Sequence, residues 1–278
     1  ALEPLSRLAR RCYPNAYIVW FVKPAFRELV ATNPNIDETF EEFCVTERKI
    51  LLGSGVFRAV HELQFSNNNY CVYAQRFYEN ERANQLGINV FTYFEFGNLL
   101  EVFAKVGGLP IPEASQPQLY LQSNHRERVA AYVLDAPFVV IHCQSNYAPK
   151  DWPAANWRVL LDWLLGSYPL LHVIEVGLNS NLAYAHPRYR TLCGEFSLLE
   201  TAALIEKATF FIGLDSGPTH LAQAVGTYGF VLMGALNNFL RYCPFAGTYG
   251  HGPNATLIRY LDKSCSELPV EEGIGVLT

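Results

Sequence analysis

A tight polar turn, Asp215-Ser216-Gly217, separates an apolar run from a helix that Pro218 opens. The first backbone N–H groups of a helix have no partners within it and carry partial positive charge. Gly217 would let a ligand approach the backbone closely, and Ser216 adds a hydroxyl donor. The pattern therefore predicts an anion site, with phosphate as the anion that fits best.

Two residues of this block admit two interpretations each. A carboxylate repels a bound phosphate, so Asp215 is either a ligand contact or a cap for the N–H groups of the turn. His220, in the first turn of the helix, either donates to the phosphate or forms local hydrogen bonds. The residues alone leave both alternatives open.

A second polar loop follows the apolar run at 138–141. It carries neutral donors at Gln144 and Ser145 and a positive charge at Lys150. The carboxyl ends of parallel strands share one edge of a sheet, so this loop and Asp215 are expected at the same edge. A lone lysine is usually a solvated surface residue, but two polar loops at one edge favour a diphosphate site.

Apolar runs alternate with helical patterns along the second half of the chain, which predicts a parallel, Rossmann-like α/β sheet. The predicted strands are 138–141, 171–176, 209–214 and 229–233, and the predicted helices are 153–165, 197–208 and 218–225. In the first half we predict a helix over 2–12, a strand over 16–22, and partial helix within 70–82.

The composition excludes several classes of protein. The 278 residues are 50% hydrophobic and 17% charged, and the glycines show no fixed period, so disorder, collagen and coiled coil are excluded. The net charge is −5 and the basic residues are scattered, which argues against nucleic acid as a partner. The length predicts two compact lobes or one large one.

The cysteines and the hydropathy of the chain indicate in which cellular compartment the protein is expected. The seven cysteines are an odd number without a CxxC pair, which favours reduced thiols and argues against a metal site. No apolar run reaches the roughly 18 residues that span a bilayer, and no signal peptide is recognised. We therefore expect a soluble, cytoplasmic protein with no transmembrane segment.

The block from Asp215 to Gly226 has the pattern D-S-G-x-x-H-L-A-x-A-x-G and resembles the heptosyltransferases, family 9 of the glycosyltransferases. Lys150-Asp-Trp-Pro, with Trp157 after it, looks like the K-x-W-P…W segment of that family. The similarity is strong over residues 138–247, moderate over 1–40 and vague over 44–130. One departure lies at Gly234-Ala235-Leu236, where the family usually has Gly-Pro.

The resemblance implies a GT-B fold, an α/β fold of two Rossmann-like lobes with parallel sheets and flanking helices. It implies an acceptor lobe over 1–125, a nucleotide-sugar donor lobe over 126–262, and a tail over 263–278 that we expect to return to the first lobe as a helix. Family members open with a strand and an Asp-bearing turn before the helix that 2–12 resembles. We expect this strand to be absent here, which leaves the general base unassigned.

The resemblance also implies the reaction. It is that of an inverting, metal-independent and cofactor-free glycosyltransferase of lipopolysaccharide biosynthesis, which moves a sugar from an ADP-heptose-like donor to a saccharide or lipid-linked acceptor, with peripheral contact to the inner membrane. Lys150 would stabilise the leaving diphosphate, and the donor would be bound by Gln144, Ser145, Gly177, Asp215, Ser216, Gly217, Pro218 and His220. The alternatives are a catalytically silent nucleotide-sugar binding or assembly module and an epimerase or hydrolase on the same fold.

Overall fold

The computed structural model describes residues 1–41, 44–67, 70–113, 115–234, 242–260 and 263–277. The chain separates into two compact units. Unit 1 consists of Ala1–Tyr120 with Cys243–Ala246, and unit 2 of Leu121–Tyr242 with Gly247–Thr278. We predicted the division after residue 125, and the structure places it after Tyr120.

Unit 1 combines helices with a two-stranded parallel sheet and a hairpin. β1 pairs in parallel with β2, and β3 pairs antiparallel with β4. The predicted helix over 2–12 is confirmed as α1, and the strand predicted over 16–22 is confirmed in its second half as β1. The elements are α1 (Glu3–Cys12), β1 (Val19–Val22), α2 (Glu28–Ala31), β2 (Glu38–Glu41), α3 (Val45–Gly53), β3 (Tyr70–Cys71), β4 (Arg76–Phe77), α4 (Glu81–Leu86) and α5 (Leu99–Gly107).

The helix predicted within 70–82 is wrong for most of that segment. Residues 70–77 form the β3–β4 hairpin, and Gln75 takes a left-handed φ of 49° where the chain reverses. The rings of Tyr70 and Phe77 pack edge to face across the hairpin, 5.2 Å between centroids. Aromatic cross-strand pairs favour a pleated strand over a helix, so α4 begins only at Glu81.

The core of unit 1 joins its first and last helices. Leu5 and Leu8 of α1 pack with Leu100 and Ala104 of α5, and all four are buried. Their spacing of three and four residues places them on one face of each helix. This packing explains the amphipathic pattern over 2–12, because the apolar face of α1 is buried against α5.

Unit 2 alternates strands and helices, as the sequence predicts. The Ser197–Glu200 capping box at the start of α8 is present in the structure, with Ser197 accepting from the Glu200 N–H. The elements are α6 (Ser123–Val129), β5 (Phe138–His142), α7 (Ala154–Ser167), β6 (His172–Glu175), β7 (Tyr189–Thr191), α8 (Leu198–Lys207), β8 (Phe210–Leu214), α9 (Gly217–Val225), β9 (Gly229–Gly234), α10 (Gly247–His251), β10 (Ala255–Tyr260) and α11 (Val270–Leu277).

All six strands of the unit 2 sheet run parallel, in the order β10-β9-β8-β5-β6-β7. The chain starts at β5 in the middle, builds outward to β7, and then returns to β8 on the other side of β5. This is the Rossmann order, and ligands of such sheets bind where the order reverses, outside the carboxyl ends of the two central strands. The predicted α/β fold with a parallel sheet and flanking helices is confirmed.

The core of unit 2 lies between the sheet and its helices. Every residue of β5 is buried, as expected for a central strand covered on both faces. Trp157 of α7 lies fully buried against this sheet. Val270 and Ile274 of α11 pack against the same core, so our expectation that the tail returns to the first lobe is wrong and the tail belongs to unit 2.

Candidate functional site

The two polar loops singled out in the sequence follow β5 and β8, the neighbouring strands between which the order reverses. Ile141 and His142 of β5 pair in register with Ile212 and Gly213 of β8, so the loops leave the sheet side by side. One loop turns toward α7 and the other enters α9. This arrangement confirms that Lys150 and Asp215 lie at one edge of the sheet.

Lys150 and Asp215 form an ion pair. Nζ of Lys150 lies 2.5 Å from Oδ2 of Asp215, and only 10% of the Asp215 side chain is exposed. Both residues line a small pocket together with Met233 and Gly234 at the end of β9. The Asp215 carboxylate therefore neutralises Lys150 within the protein.

The predicted role of Lys150, stabilisation of the leaving diphosphate, stays a prediction. The structure adds that its ammonium group is paired with a carboxylate. A ligand phosphate must share the ammonium group with Asp215 or replace the carboxylate as its partner. Removing either residue alone leaves a largely buried charge without its partner, which is costly.

Ser216 occupies the residue before α9 but does not cap the helix. Its backbone is extended, as at an N-cap, yet its hydroxyl forms no bond to the first helical N–H groups. Instead Ser216 Oγ lies 2.9 Å from Nδ1 of His142 and 3.3 Å from the Leu214 carbonyl oxygen, to which it donates. The N–H groups at the start of α9 therefore lack the side-chain cap that would compete with an anion.

Gly217 and Pro218 shape the first turn of α9. Pro218 fits the start of a helix because its missing N–H would have had no helical partner. A Cβ added at Gly217 would meet no atom within 4 Å, so the space above this backbone is open. The geometry therefore leaves room for a ligand to approach the Gly217 backbone closely, as the sequence predicts.

His142 belongs to this site although the sequence did not single it out. It is the last residue of β5 and is buried, and burial lowers the pKa of its imidazole to about 4, with the Asp151 carboxylate opposing the shift. The ring is therefore neutral at pH 7. The sequence did carry a signal for it. His142 is a polar residue directly after the apolar run Phe138–Ile141, at the position where a buried strand reaches the edge of its sheet.

Gly177 lies on the other side of the His142 ring. Its φ is 151°, and an added Cβ would stand 3.3 Å from Cδ2 of His142 and 3.7 Å from Sγ of Cys193. Just before it, the buried Glu175 accepts a 2.6 Å hydrogen bond from the hydroxyl of Tyr189. Gly177 thus packs against the site through His142, and its predicted contact with a donor stays a prediction.

The loop after β5 uses some of its polar groups internally. Ser145 donates its hydroxyl to the Tyr147 carbonyl, 3.0 Å away, and its N–H donates to Oδ1 of Asp151 at 2.6 Å. Gln144 is exposed, and within the described part of the chain its side chain makes no hydrogen bond. Of the two predicted donors, Gln144 is therefore the one whose amide points to solvent unpaired.

His220 lies in the first turn of α9 and is half-buried. Burial lowers the pKa of its imidazole to about 3, and a hydrogen bond with Gln223 opposes this shift. At pH 7 the ring is neutral, so it offers hydrogen bonding and no positive charge. Both predicted interpretations, phosphate donor and local partner, remain chemically open to it.

The described ranges hold no cluster of three or more His, Cys, Asp or Glu side chains that could bind a metal ion. They also hold no helix that is both long and apolar enough to cross a membrane. The expectation of metal independence stays a prediction.

The strand order defines a Rossmann-like α/β protein, in which the start of α9 at the reversal point has no side-chain cap. A family model described as glycosyltransferase family 9 (heptosyltransferase) matches residues 97–237, about half of the chain. The chain belongs to this family of glycosyltransferases.

Individual relatives agree with this assignment. Lipopolysaccharide heptosyltransferase 1 of Pseudomonas aeruginosa is 25% identical over 190 residues, which is 62% of this chain and 48% of the relative. Lipopolysaccharide heptosyltransferase 3 of Escherichia coli is 31% identical over 137 residues, 42% of this chain and 38% of the relative. The chain thus spans less than half the length of these curated relatives.

Solved structures share the fold. The glycosyl transferase family 9 protein from Veillonella parvula has a TM-score of 0.71 at 17% identity, over 98% of this chain and 90% of that one. E. coli heptosyltransferase WaaC with ADP-2-deoxy-2-fluoro heptose has a TM-score of 0.57 at 15% identity, over 99% and 94%. At such identities the likeness is one of fold.

Proposed function

We propose that this protein transfers a heptose-like sugar from an ADP-linked donor to a saccharide or lipid-linked acceptor, with inversion at the anomeric carbon and without a metal or cofactor. The observation that carries the proposal is the uncapped N-terminus of α9, which lies beside the Lys150–Asp215 pair where the strand order reverses. The family assignment and the nucleotide sugar bound by WaaC support the same donor class.

The reaction places new negative charge on the leaving diphosphate. The acceptor hydroxyl oxygen attacks the anomeric carbon as the bond from that carbon to the diphosphate oxygen breaks, and the hydroxyl proton passes to a base. A protein without a metal must stabilise the diphosphate with fixed dipoles and cations. In our proposal the N–H groups at the start of α9 and the ammonium of Lys150 do this.

In this proposal, Asp215 positions the ammonium group of Lys150. In the free protein the carboxylate keeps the ammonium group at the reversal point, 2.5 Å away. When the diphosphate binds, its oxygens compete with Asp215 for the same ammonium protons. Lys150 is then already positioned at the moment the charge develops, which lowers the reorganisation that the transfer step requires.

The donor lobe in this scheme is unit 2, because the site residues from Gln144 to His220 all lie in it. Unit 1 is then the acceptor lobe. A location in the cytoplasm and a role in lipopolysaccharide assembly belong to the same proposal. The names of the relatives support the role in lipopolysaccharide assembly.

The test starts with nucleotide binding. Calorimetric titration of the full chain with ADP, UDP and GDP is expected to give the tightest binding with ADP, unchanged by a chelator. Lys150→Ala and His220→Ala are expected to weaken it, with Lys207→Ala, an exposed lysine of α8, as the matched control. Unchanged affinity in both site variants would contradict the assignment of the site.

Turnover then separates the alternatives. With ADP-heptose and a saccharide or lipid-linked acceptor, transfer of the sugar supports the proposal. Binding without any turnover points to a silent binding module. Release or epimerisation of the sugar without acceptor points instead to a hydrolase or epimerase.

A further inference from the structure

Two cysteine sulfurs lie at the N-terminus of α3 in unit 1. Sγ of Cys44, the residue before the helix, accepts a 3.3 Å hydrogen bond from the Glu47 N–H. Sγ of Cys71, in β3, lies 3.2 Å from Oγ1 of Thr46 and also accepts from the Thr46 N–H. Thr46 and Glu47 are neighbours in the chain, with Cα atoms about 3.8 Å apart, so both sulfurs lie beside the same turn of α3.

The surroundings of Cys71 favour its thiolate form. Besides Thr46, the N–H groups of Tyr73 and Ala74 in the hairpin turn donate to its sulfur. The start of α3 adds the partial positive charge of a helix N-terminus. The Thr46 hydroxyl and then these N–H groups lower the pKa of the Cys71 thiol, while burial opposes the shift. The thiolate is the form of cysteine that attacks electrophiles.

Three other thiols are held in the protonated form. Burial raises the pKa of Cys193 to about 11 and that of Cys265 to about 12. Burial also raises the pKa of Cys143 well above its usual range. Of these four cysteines, Cys71 is the one whose surroundings favour reaction at pH 7.

A groove between α3 and the β3–β4 hairpin gives a small molecule access to Cys71. The cysteine is buried, yet it lines this groove of about 320 Å³ together with Lys49 and Arg76. Among the described residues that line the groove, Glu79 is the acidic one, and its Oε2 already accepts a 2.8 Å hydrogen bond from Asn84. A water molecule takes up about 30 Å³ of liquid, so the groove has room for hydrogen peroxide.

We propose that Cys71 is a peroxide-reactive thiol and that Cys44 converts its oxidised form to a disulfide. The Cys71 thiolate attacks one oxygen of hydrogen peroxide. The S–O bond forms as the O–O bond breaks, and the departing hydroxide takes a proton from solvent to become water. Cys71 is thereby oxidised to the sulfenic acid, and the peroxide is reduced.

The second step closes the bridge. The Cys44 thiol loses its proton and its sulfur attacks the sulfur of Cys71. The S–S bond forms as the S–O bond breaks, and the hydroxyl group leaves with that proton as water. A disulfide of this kind is transient in a reducing compartment, where its formation reports an oxidant.

This chemistry lies beyond the proposed transfer reaction. Both cysteines belong to unit 1, whereas the residues assigned to the donor all lie in unit 2. Oxidation of Cys71 requires no nucleotide sugar and is tested without one. Its failure and that of the proposed function are therefore distinguishable.

The experiment treats the reduced full chain with a small molar excess of hydrogen peroxide and maps the thiols by peptide mass spectrometry. We expect a chain lighter by two hydrogen atoms, with Cys44 and Cys71 in one linked peptide, and reversal by dithiothreitol. In Cys44→Ser, dimedone, which traps sulfenic acids, should accumulate on Cys71, because serine keeps the helix cap but cannot close a disulfide. Cys71→Ser should give neither product.

Thr46→Val tests the activation of the thiolate. In the Cys44→Ser background it is expected to slow dimedone labelling of Cys71 about threefold. A hydrogen bond to a charged group changes the thiolate fraction about tenfold, and the greater nucleophilicity of a more basic thiolate offsets about threefold of this. Thr209→Val, at an exposed threonine of unit 2, is the matched control and should leave the rate unchanged.

Several results would overturn the proposal. One is faster labelling of Cys12, the exposed cysteine at the end of α1, than of Cys71. Others are a disulfide that joins different cysteines or two chains, and a sulfinic acid in place of the disulfide in the unaltered chain. Equal slowing in Thr46→Val and Thr209→Val would contradict activation at the start of α3. Circular dichroism checks the folding of each variant, and the position of the adduct in Cys44→Ser decides the assignment even where Cys71→Ser does not fold.

Discussion

Nδ1 of His142 lies 2.9 Å from Oγ of Ser216, which ties the end of β5 to the start of α9 across the reversal of strand order. The neutral ring carries one N–H, on either Nδ1 or Nε2. With the proton on Nδ1, the ring donates to Ser216 and leaves the hydroxyl hydrogen for the Leu214 carbonyl or for a ligand. With the proton on Nε2, Ser216 donates to the ring instead. The predicted role of Ser216 as a phosphate donor therefore depends on His142.

The first prediction concerns pH and His142. Its pKa is about 4 in the folded chain against an ordinary 6.5, so the unfolded chain binds more protons between these values and folding stability falls as pH drops through them. The slope from one such group is at most about 1.4 kcal/mol per pH unit, and stability is fully present above pH 6.5. Urea unfolding between pH 7.5 and pH 5 measures it.

His142→Gln keeps a hydrogen-bonding group beside Ser216 but does not titrate. We expect a shallower fall of unfolding free energy between pH 7 and pH 5, with a residual slope from His220, whose pKa is lowered to about 3. The double variant with His220→Gln should be flatter still. An unchanged slope in His142→Gln would show that the buried ring does not govern this dependence.

The second prediction concerns the Lys150–Asp215 pair. Lys150→Ala leaves the carboxylate, 10% exposed, without its partner and is expected to lower the free energy of unfolding by about 1–3 kcal/mol. Lys150→Met with Asp215→Asn removes both charges and should recover most of that loss, while ADP binding stays weak. Chemical denaturation and calorimetry on the unaltered chain, on Lys150→Met and Asp215→Asn as the matching single variants, and on the double variant measure both quantities.

The comparison separates two roles of the lysine. If the double variant recovers stability and binding together, Lys150 serves only to neutralise Asp215 and does not contact the diphosphate. If Asp215→Asn alone tightens ADP binding, the carboxylate competes with the ligand for the ammonium group, as the geometry leads us to expect.

The third prediction concerns Gly177. An alanine there would hold a φ of 151° with its Cβ 3.3 Å from the His142 ring, so we expect a loss of about 1–3 kcal/mol in the free energy of unfolding. Gly166→Ala is the matched control, because it lies within α7 with no atom within 4 Å of the added Cβ. In the control we expect a gain of about 0.5–1 kcal/mol. Equal thermal shifts in the two variants would contradict the strain at Gly177.

The sequence allowed the elements that position the site to be predicted, because its signals there are local. The apolar run before Asp215, Pro218 at the start of α9 and the Ser197 capping box each depend on residues a few positions apart. The strand-end location of both polar loops follows from the same local patterns.

What could not be predicted depends on contacts between distant residues. Lys150 and Asp215 are separated by 65 positions, and their pairing requires β5 and β8 to be neighbours in the sheet. Periodicity identifies strands but does not order them. His142 was missed for the same reason, since its partner Ser216 follows β8. The hairpin at 70–77 was missed because two-residue strands leave almost no alternation to read.

The last prediction uses Gly217 to separate binding from folding. An added Cβ meets nothing within 4 Å, and alanine favours a helix over glycine, so Gly217→Ala should keep or slightly raise the melting temperature. The same methyl group would occupy the open space above the first turn of α9, where we place the diphosphate, so ADP affinity should fall about tenfold, or ~1.4 kcal/mol. Gly275→Ala in α11, also open within 4 Å, is the control and should leave ADP binding unchanged. Undiminished ADP affinity in Gly217→Ala would mean that the anion does not bind against this turn, whatever the outcome for Lys150.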